Sequence, residues 1–379
     1  MSDAVNHVLA DIQPSFIRML NDRRRPSSLN LGLGEPDINP DADLIEDGLK
    51  RFSAGVQGYT RNAGLPELRS AIARFRSDVN MNADNVLVTT GSQEAVFISL
   101  GALLNPGDEV LVVDPAFNIY APISKLFGAR AISVSMDPNT GFALDASRVR
   151  AAVTPKTRVI CVVSPGNPTG RALDETQAKA LAALADETGT TLLVDEVYRE
   201  LHHTPSPAPS PGQWSKRVIT LGGLSKSCAM TGLRIGWAHL PDYAFLSALK
   251  LHQLCATCAA SLSQHIAVAA FERNALFRHR ARYAERFEVA SELVKQHLGM
   301  TPPTSEGAFY LFLDFRKFAL PTMQIAEQLL EKEDVCMIPG EAFGPAGHGF
   351  FRISFAQDLP VIREGILRLG RFVGTLKTL

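Results

Sequence analysis

The chain has 379 residues, 46% hydrophobic and 20% charged, which excludes wholesale disorder and makes two domains the natural division. Its 38 Lys+Arg against 39 Asp+Glu leave a net charge of −1, so it has no electrostatic footprint for nucleic acid or an anionic membrane surface. Five cysteines read as reduced thiols in a cytoplasm, the opening MSDAVNHVLADIQPSF lacks the pattern of a secretory signal, and no apolar run approaches the ~18 residues of a membrane span.

In chain order, residues 1–45 do not fit a large sheet and are expected to join a smaller C-terminal unit. The Arg23-Arg24-Arg25 run reads as a solvated turn. Between about residues 64 and 300, short β-branched runs alternate with helical patterns. The strand candidates are Val86–Thr90, Glu109–Val113, Arg130–Val134, Arg158–Val163, Thr191–Glu196, Arg217–Leu221 and Arg234–His239. Each is a continuous apolar run, as a strand covered on both faces requires. Helix candidates Pro66–Val79, Gln93–Leu104 and Asp174–Thr188 lie between them. This alternation predicts an α/β fold with a mostly parallel seven-stranded sheet between helices. The proline-rich Thr204–Gly212 reads as a surface loop. After residue 300 the strands Ala308–Phe315, Asp334–Ile338 and Phe350–Phe355, with helices Thr322–Lys332 and Pro360–Lys377, suggest a smaller α+β domain. The expected division is 1–45 with the small domain, 46–285 as the large domain and 286–379 as the small one.

Several motifs are absent. Gly32-Leu33-Gly34 begins a GxG, but Asp37 breaks the dinucleotide fingerprint. There is no P-loop, HExxH or GxSxG motif. Cys255 and Cys258 form a lone CxxC, read as two buried thiols, and His202-His203 as surface histidines; no metal site is expected.

Lys226, in GGLSKSCAMTGLRIGW, follows a strand at its carboxyl end, where α/β proteins build sites. Asp195 ends the buried run TLLVD, and a carboxylate there is expensive to bury without a cation. Tyr198 follows three residues later. Asn167 sits in the constrained turn SPGNPTG beyond another strand. Gly91-Ser92-Gln93 leads from a strand into a helix, whose free N–H groups and dipole suit a phosphate. An amine, a buried acid, polar groups and an anion cradle at one sheet edge would all be used by a phosphorylated aldehyde with a ring nitrogen.

These segments resemble the class I/II aminotransferases, the pyridoxal-phosphate enzymes of the aspartate aminotransferase fold. The shared motifs are GEPD (34–37), YTRNAGLPELR (59–69), TTGSQEA (89–95), DPAFNIY (114–120), NPTG (167–170), DEVY (195–198), SK with its GLRIGW tail (225–237) and FRISFA (351–356). The resemblance implies a Schiff base between Lys226 and pyridoxal 5'-phosphate, with Lys226 then moving the substrate's Cα proton. Holding a lysine neutral at pH 7 takes ~3.4 units, or ~4.6 kcal/mol, which aldimine formation and cations such as Arg234 would supply. Asp195 would pair with the ring nitrogen, Asn167 and Tyr198 with the phenolic oxygen, and Phe117 would stack on the ring. Ser92, Gln93, Ser225 and Arg234 would hold the phosphate. Arg352 would bind the substrate α-carboxylate bidentately and Gly34 would admit the substrate. Tyr59 would reach the neighbouring subunit's phosphate, implying a homodimer with shared sites. Two positions depart from the family pattern: Gly223 replaces a frequent serine, and Phe117 a frequent Tyr or Trp.

The function so implied is transfer of an amino group between an L-amino acid and a 2-oxo acid. A carbon–sulfur β-lyase or other amino-acid lyase on the same fold is the alternative, with decarboxylation disfavoured by Arg352. A regulatory module with an aminotransferase-like domain would want a DNA-binding domain ahead of the first motif. No second cation stands out for a dicarboxylic substrate. The apolar stretch Ile12–Ile17, with Phe16, leans toward neutral or hydrophobic amino acids.

Overall fold

The computed structural model describes residues 6–12, 14–55, 57–79 and 81–378. A short strand β1 (Leu29–Asn30) precedes the large sheet, whose strands are β2 (Val86–Thr89), β3 (Glu109–Asp114), β4 (Arg130–Ser135), β5 (Thr157–Val163), β6 (Thr191–Asp195), β7 (Val218–Gly223) and β8 (Gly236–His239). Their order across the sheet is β2-β8-β7-β6-β5-β3-β4. Only β8 runs against its neighbours, so all seven expected strands form one mostly parallel sheet.

Side chains alternate across a strand, so each strand feeds two cores. Val110, Val159, Leu193 and Ile219 face one cluster, with Val96 and Leu100 of the helix Ser92–Leu103. Leu111, Ile160, Leu192 and Val194 face the other, with Leu181 and Leu184 of the helix Glu175–Thr188. That second helix starts on a capping box between Asp174 and Gln177 and stops at Gly189, which adopts the left-handed conformation.

The remaining strands are β9 (Tyr310–Asp314), β10 (Val335–Cys336), β11 (Ile338–Pro339) and β12 (Phe350–Ser354). They form a three-stranded antiparallel sheet, β11-β12-β9, and a parallel pair of β1 with β10. The N-terminal segment thus joins the C-terminal strands. Both expected division points fall inside helices, Ala42–Ala54 and Arg280–Leu298. The final helix spans Leu359–Val373, capped by Asp358, and stops short of Lys377.

Three sequence expectations need correction. His202 is buried and pairs in a bridge with Gly307, while the His203 ring stacks on Phe287 at 4.7 Å; burial pushes the His203 pKa down to about 4. Cys255, in the last turn of the helix Asp242–Ala256, is exposed, and Cys258, beyond the helix end, is half-buried. In the proline-rich loop Pro205 and Ser206 are exposed, but Ala208, Ser210 and Pro211 are buried, and the Ala208 carbonyl accepts a hydrogen bond from Arg199 Nε at 3.1 Å. Gln13, within the Ile12–Ile17 stretch, lies outside the described residues.

Candidate active site

Strand register decides which loops meet. Val163, Asp195 and Leu221 are aligned neighbours on β5, β6 and β7, so the segments that follow them leave one edge of the sheet together. Antiparallel β8 enters at the same edge, with Gly236 opposite both Thr89 and Gly223. Asn167, Tyr198, Lys226, the Gly91 turn and Arg234 thereby come from distant sequence positions to one rim, where α/β sheets place ligands.

Part of the Lys226 side chain is open, but protein surrounds its amine, which donates to the Gly34 carbonyl at 2.8 Å. Burial pulls the Lys226 pKa down to about 8; Arg352 and Arg234 push the same way and Glu35 opposes them. Desolvation is thus the largest cause of the lowering, and Arg234, expected to contribute, adds to it. Asp195, 7% exposed, is raised to about 6 by burial, with a hydrogen bond from Tyr120 opposing. Tyr120 Oη donates to Asp195 Oδ2 at 3.0 Å and the Val197 amide donates to Oδ1 at 3.2 Å. Beneath the next turn lies a buried charge network. Arg76 pairs with Glu196 at 2.6 Å and Asp78 at 3.0 Å, and Arg199 bonds Asp78 at 2.8 Å. Removing one partner would leave a buried charge alone, so the network fixes the course of residues 196–200.

Arg352, on β12 and 2% exposed, donates from Nη1 to Asn167 Oδ1 at 2.8 Å and from Nη2 to the Gly32 carbonyl. Its Nε has no partner among the described residues. The guanidinium lies 4.5 Å from the Tyr310 ring centroid and 4.7 Å from that of Phe343. Tyr310 Oη in turn lies 2.8 Å from Tyr198 Oη. Arg352, Asn167, Tyr198 and Gly34 are therefore brought together, with Tyr310 among them.

The turn into the helix Ser92–Leu103 is crowded by design of the backbone. Gly91 has φ +79°, and a Cβ there would stand 2.4 Å from Arg234 Nη2. A Cβ on Gly236 would stand 2.4 Å from the Ser92 amide nitrogen. Ser92, the Gln93 amide, Arg234 and buried Ser225 thus border one helix start. Phe117 is half-buried against the sheet's upper core. Tyr59 is 88% exposed and bonds no other candidate residue of its own chain.

Tyr120 and Tyr310 were missed in the sequence. Tyr120 stands inside the quoted DPAFNIY motif, three residues after Phe117, and that spacing was its available signal. Tyr310 reads as one more apolar residue of the FYLFLDF strand, with nothing to distinguish it.

A family model, "Aminotransferase class I and II", matches residues 26–368. The chain belongs to the class I and II aminotransferases. It is similar to the arginine–pyruvate transaminase AruH of Pseudomonas aeruginosa, at 34% identity over 90% of this chain and 88% of that protein. It is also similar to the aspartate aminotransferase of Pyrococcus horikoshii, at 31% identity over 94% of each chain. A solved structure titled as the Thermus thermophilus aspartate aminotransferase with maleate superposes with a TM-score of 0.91, at 30% identity, covering 98% of this chain and 100% of that one. The chain is accordingly an enzyme of the transaminase type, in a family that depends on pyridoxal phosphate. The lyase alternative finds no support among these relatives. Among the described residues no helix is long and apolar enough to cross a membrane.

Proposed function

We propose that this aminotransferase binds pyridoxal phosphate at the rim built by Lys226, Asp195 and Arg352 and exchanges an amino group between an L-amino acid and a 2-oxo acid. The observation that carries the reading is an enclosed lysine amine with a pKa near 8, two cations nearby and a buried carboxylate at the same sheet edge. The residues present fit the cofactor. The amine is pre-lowered toward neutrality, the Arg234 guanidinium stands against Gly91 at the helix start where a phosphate would rest, and Arg352 keeps a buried N–H unpaired among the described residues. When bound, pyridoxal phosphate supplies an aldehyde for the amine and a ring that withdraws electrons from the substrate's Cα.

In this reading Lys226 holds the cofactor and later accepts and returns the Cα proton. Asp195 holds a proton at the ring nitrogen, oriented by Tyr120 and the Val197 amide. Asn167 and Tyr198 donate to the phenolic oxygen, and Phe117 covers the ring. The amides of Ser92 and Gln93, with Ser225 and Arg234, bind the phosphate. Arg352 receives the α-carboxylate, exchanging its bond to Asn167 or to Gly32 for a planar, two-pronged contact. Gly34, which carries no side chain toward Tyr310, lets its backbone approach the substrate. Tyr59 serves the neighbouring subunit's phosphate in a homodimer, and the protein works in the cytoplasm. Of the substrates that relatives are named for, aspartate asks for a second cation. Apolar Phe16 and Ile17, at the start of the helix Phe16–Asp22, instead support a neutral or hydrophobic side chain.

The test is a scan of amino acids for 2-oxo acid production with and without an added 2-oxo acid acceptor. Transamination requires the acceptor. Without it, at most one equivalent of 2-oxo acid per active site can form, so sustained product formation beyond that would overturn the reading in favour of elimination.

A further inference from the structure

Tyr310 is fully buried and touches several members of the candidate site, though no role has been assigned to it. Its hydroxyl lies 2.8 Å from that of Tyr198, and the Arg352 guanidinium lies over its ring at 4.5 Å. A Cβ on Gly34 would stand 1.9 Å from its oxygen. Its ring also meets Phe309 edge-on at 4.9 Å, and Phe309 lies 6.0 Å from Lys226 Nζ. A phenylalanine would fill the same space and stack under the same guanidinium, so packing leaves the hydroxyl itself unexplained.

Two phenols within bonding distance share one hydrogen bond: one donates and the other's proton is free. Were Tyr198 the donor, its proton would point at Tyr310 and away from the cleft. A cation over the face of the Tyr310 ring stabilises negative charge on its oxygen and so makes Tyr310 the better donor. Resting on the cofactor reading above, we propose that Tyr310 is a positioning residue: its hydroxyl donates to the Tyr198 oxygen, so that the Tyr198 proton is held toward the cofactor's phenolic oxygen. Donation into Tyr198 also polarises its O–H and strengthens that outgoing bond. Arg352, by lying over Tyr310, connects the carboxylate-binding end of the site to the cofactor ring through a second route besides its bond to Asn167.

The experiment compares Tyr310→Phe, Tyr198→Phe and the double variant, each loaded with pyridoxal phosphate, by titrating the visible absorbance of the lysine-bound cofactor. A weaker Tyr198 donor leaves the phenolic oxygen more basic, so its shared proton is retained to higher pH. Tyr310→Phe is expected to raise the midpoint by about half a unit, a roughly threefold change in the proton equilibrium. The shift should vanish when residue 198 is already phenylalanine. An unmoved midpoint overturns the proposal even if the apoprotein melts earlier, because a packing role would act on melting alone. An equal shift in both backgrounds overturns it too, since Tyr310 would then act without Tyr198. A wild-type protein that forms no visible band with pyridoxal phosphate would instead remove the cofactor reading beneath it.

Discussion

Asp195→Asn should make the cofactor-free enzyme more stable at neutral pH while weakening its hold on the cofactor. Burial raises the Asp195 pKa from 3.8 to about 6 in the folded chain. A carboxyl with a raised folded pKa favours its neutral form. Below the unfolded value both states are protonated and the group costs nothing. Between 3.8 and 6 the folded state binds more protons, so stability falls as pH rises, and above 6 the full penalty is present. The difference of ~2.2 units corresponds to roughly 3 kcal/mol. Asparagine is neutral throughout and of the same shape. It can still accept the Tyr120 hydroxyl, but its amide group lacks the Val197 contact and leaves about 1–2 kcal/mol of unsatisfied polarity. The net expected gain is therefore ~1–2 kcal/mol above pH 6, shrinking and reversing as pH falls toward 4. Urea unfolding of both apoproteins across that range measures the difference directly, and contributions from other raised acids such as Glu200 and Asp114 cancel in it. Adding pyridoxal phosphate should then stabilise the wild type more than the variant, because binding to the folded state adds to its stability. A variant-minus-wild-type difference that stays flat with pH would refute the reasoning: Asp195 would not be the strained carboxylate.

Lys226→Ala should lose the visible absorbance of the bound cofactor and at least ~10²–10⁴-fold of turnover, checked by spectrum and by steady-state rates. Arg352→Lys trades a planar fork for a point charge and should raise KM for every amino acid and 2-oxo acid alike; an effect on one side chain alone would assign Arg352 to side-chain recognition. Gly34→Ala drives a methyl to 1.9 Å from Tyr310 Oη and should displace that ring, lowering kcat while the fold survives in circular dichroism. Mixing Lys226→Ala with a Tyr59→Asp protein should restore activity, to at most about half the wild-type value per heterodimer under two-fold symmetry, and demonstrated heterodimers without activity would end the shared-site assignment.

The large sheet was readable because its central strands, such as β6 and β7, are continuous apolar runs, and double-sided burial writes that pattern directly into the sequence; edge strand β4, RAISVS, is largely open and alternates instead. The motif residues were readable because they stand immediately after such runs, where register forces them to one edge. What stayed hidden depends on contacts between remote segments. Nothing local tells that the Tyr120 hydroxyl will meet Asp195, or that Tyr310 differs from the phenylalanines around it. His202 and His203 looked like surface residues because their burial comes from Gly307 and Phe287, far along the chain. The help that Arg234 gives in lowering the Lys226 pKa was legible, but the larger effect of desolvation was not, because it is a property of the assembled cleft and not of the flanking sequence.

The bond from Arg352 to the Gly32 carbonyl joins positions 320 residues apart, and Lys226 reaches Gly34 across 192. During synthesis at about 5–20 residues per second, Gly32 is made roughly 16–64 s before its partner exists. The parallel pair of β1 with β10 waits almost as long. The strands of the large sheet are all made by His239 and can assemble in the meantime. A ribosome-bound chain that has not yet exposed Arg352 is therefore expected to possess the lysine, the acid and the phosphate cradle but no carboxylate clamp. Such a chain could capture cofactor before it could engage substrate, which makes early cofactor supply a means of stabilising the half-made enzyme.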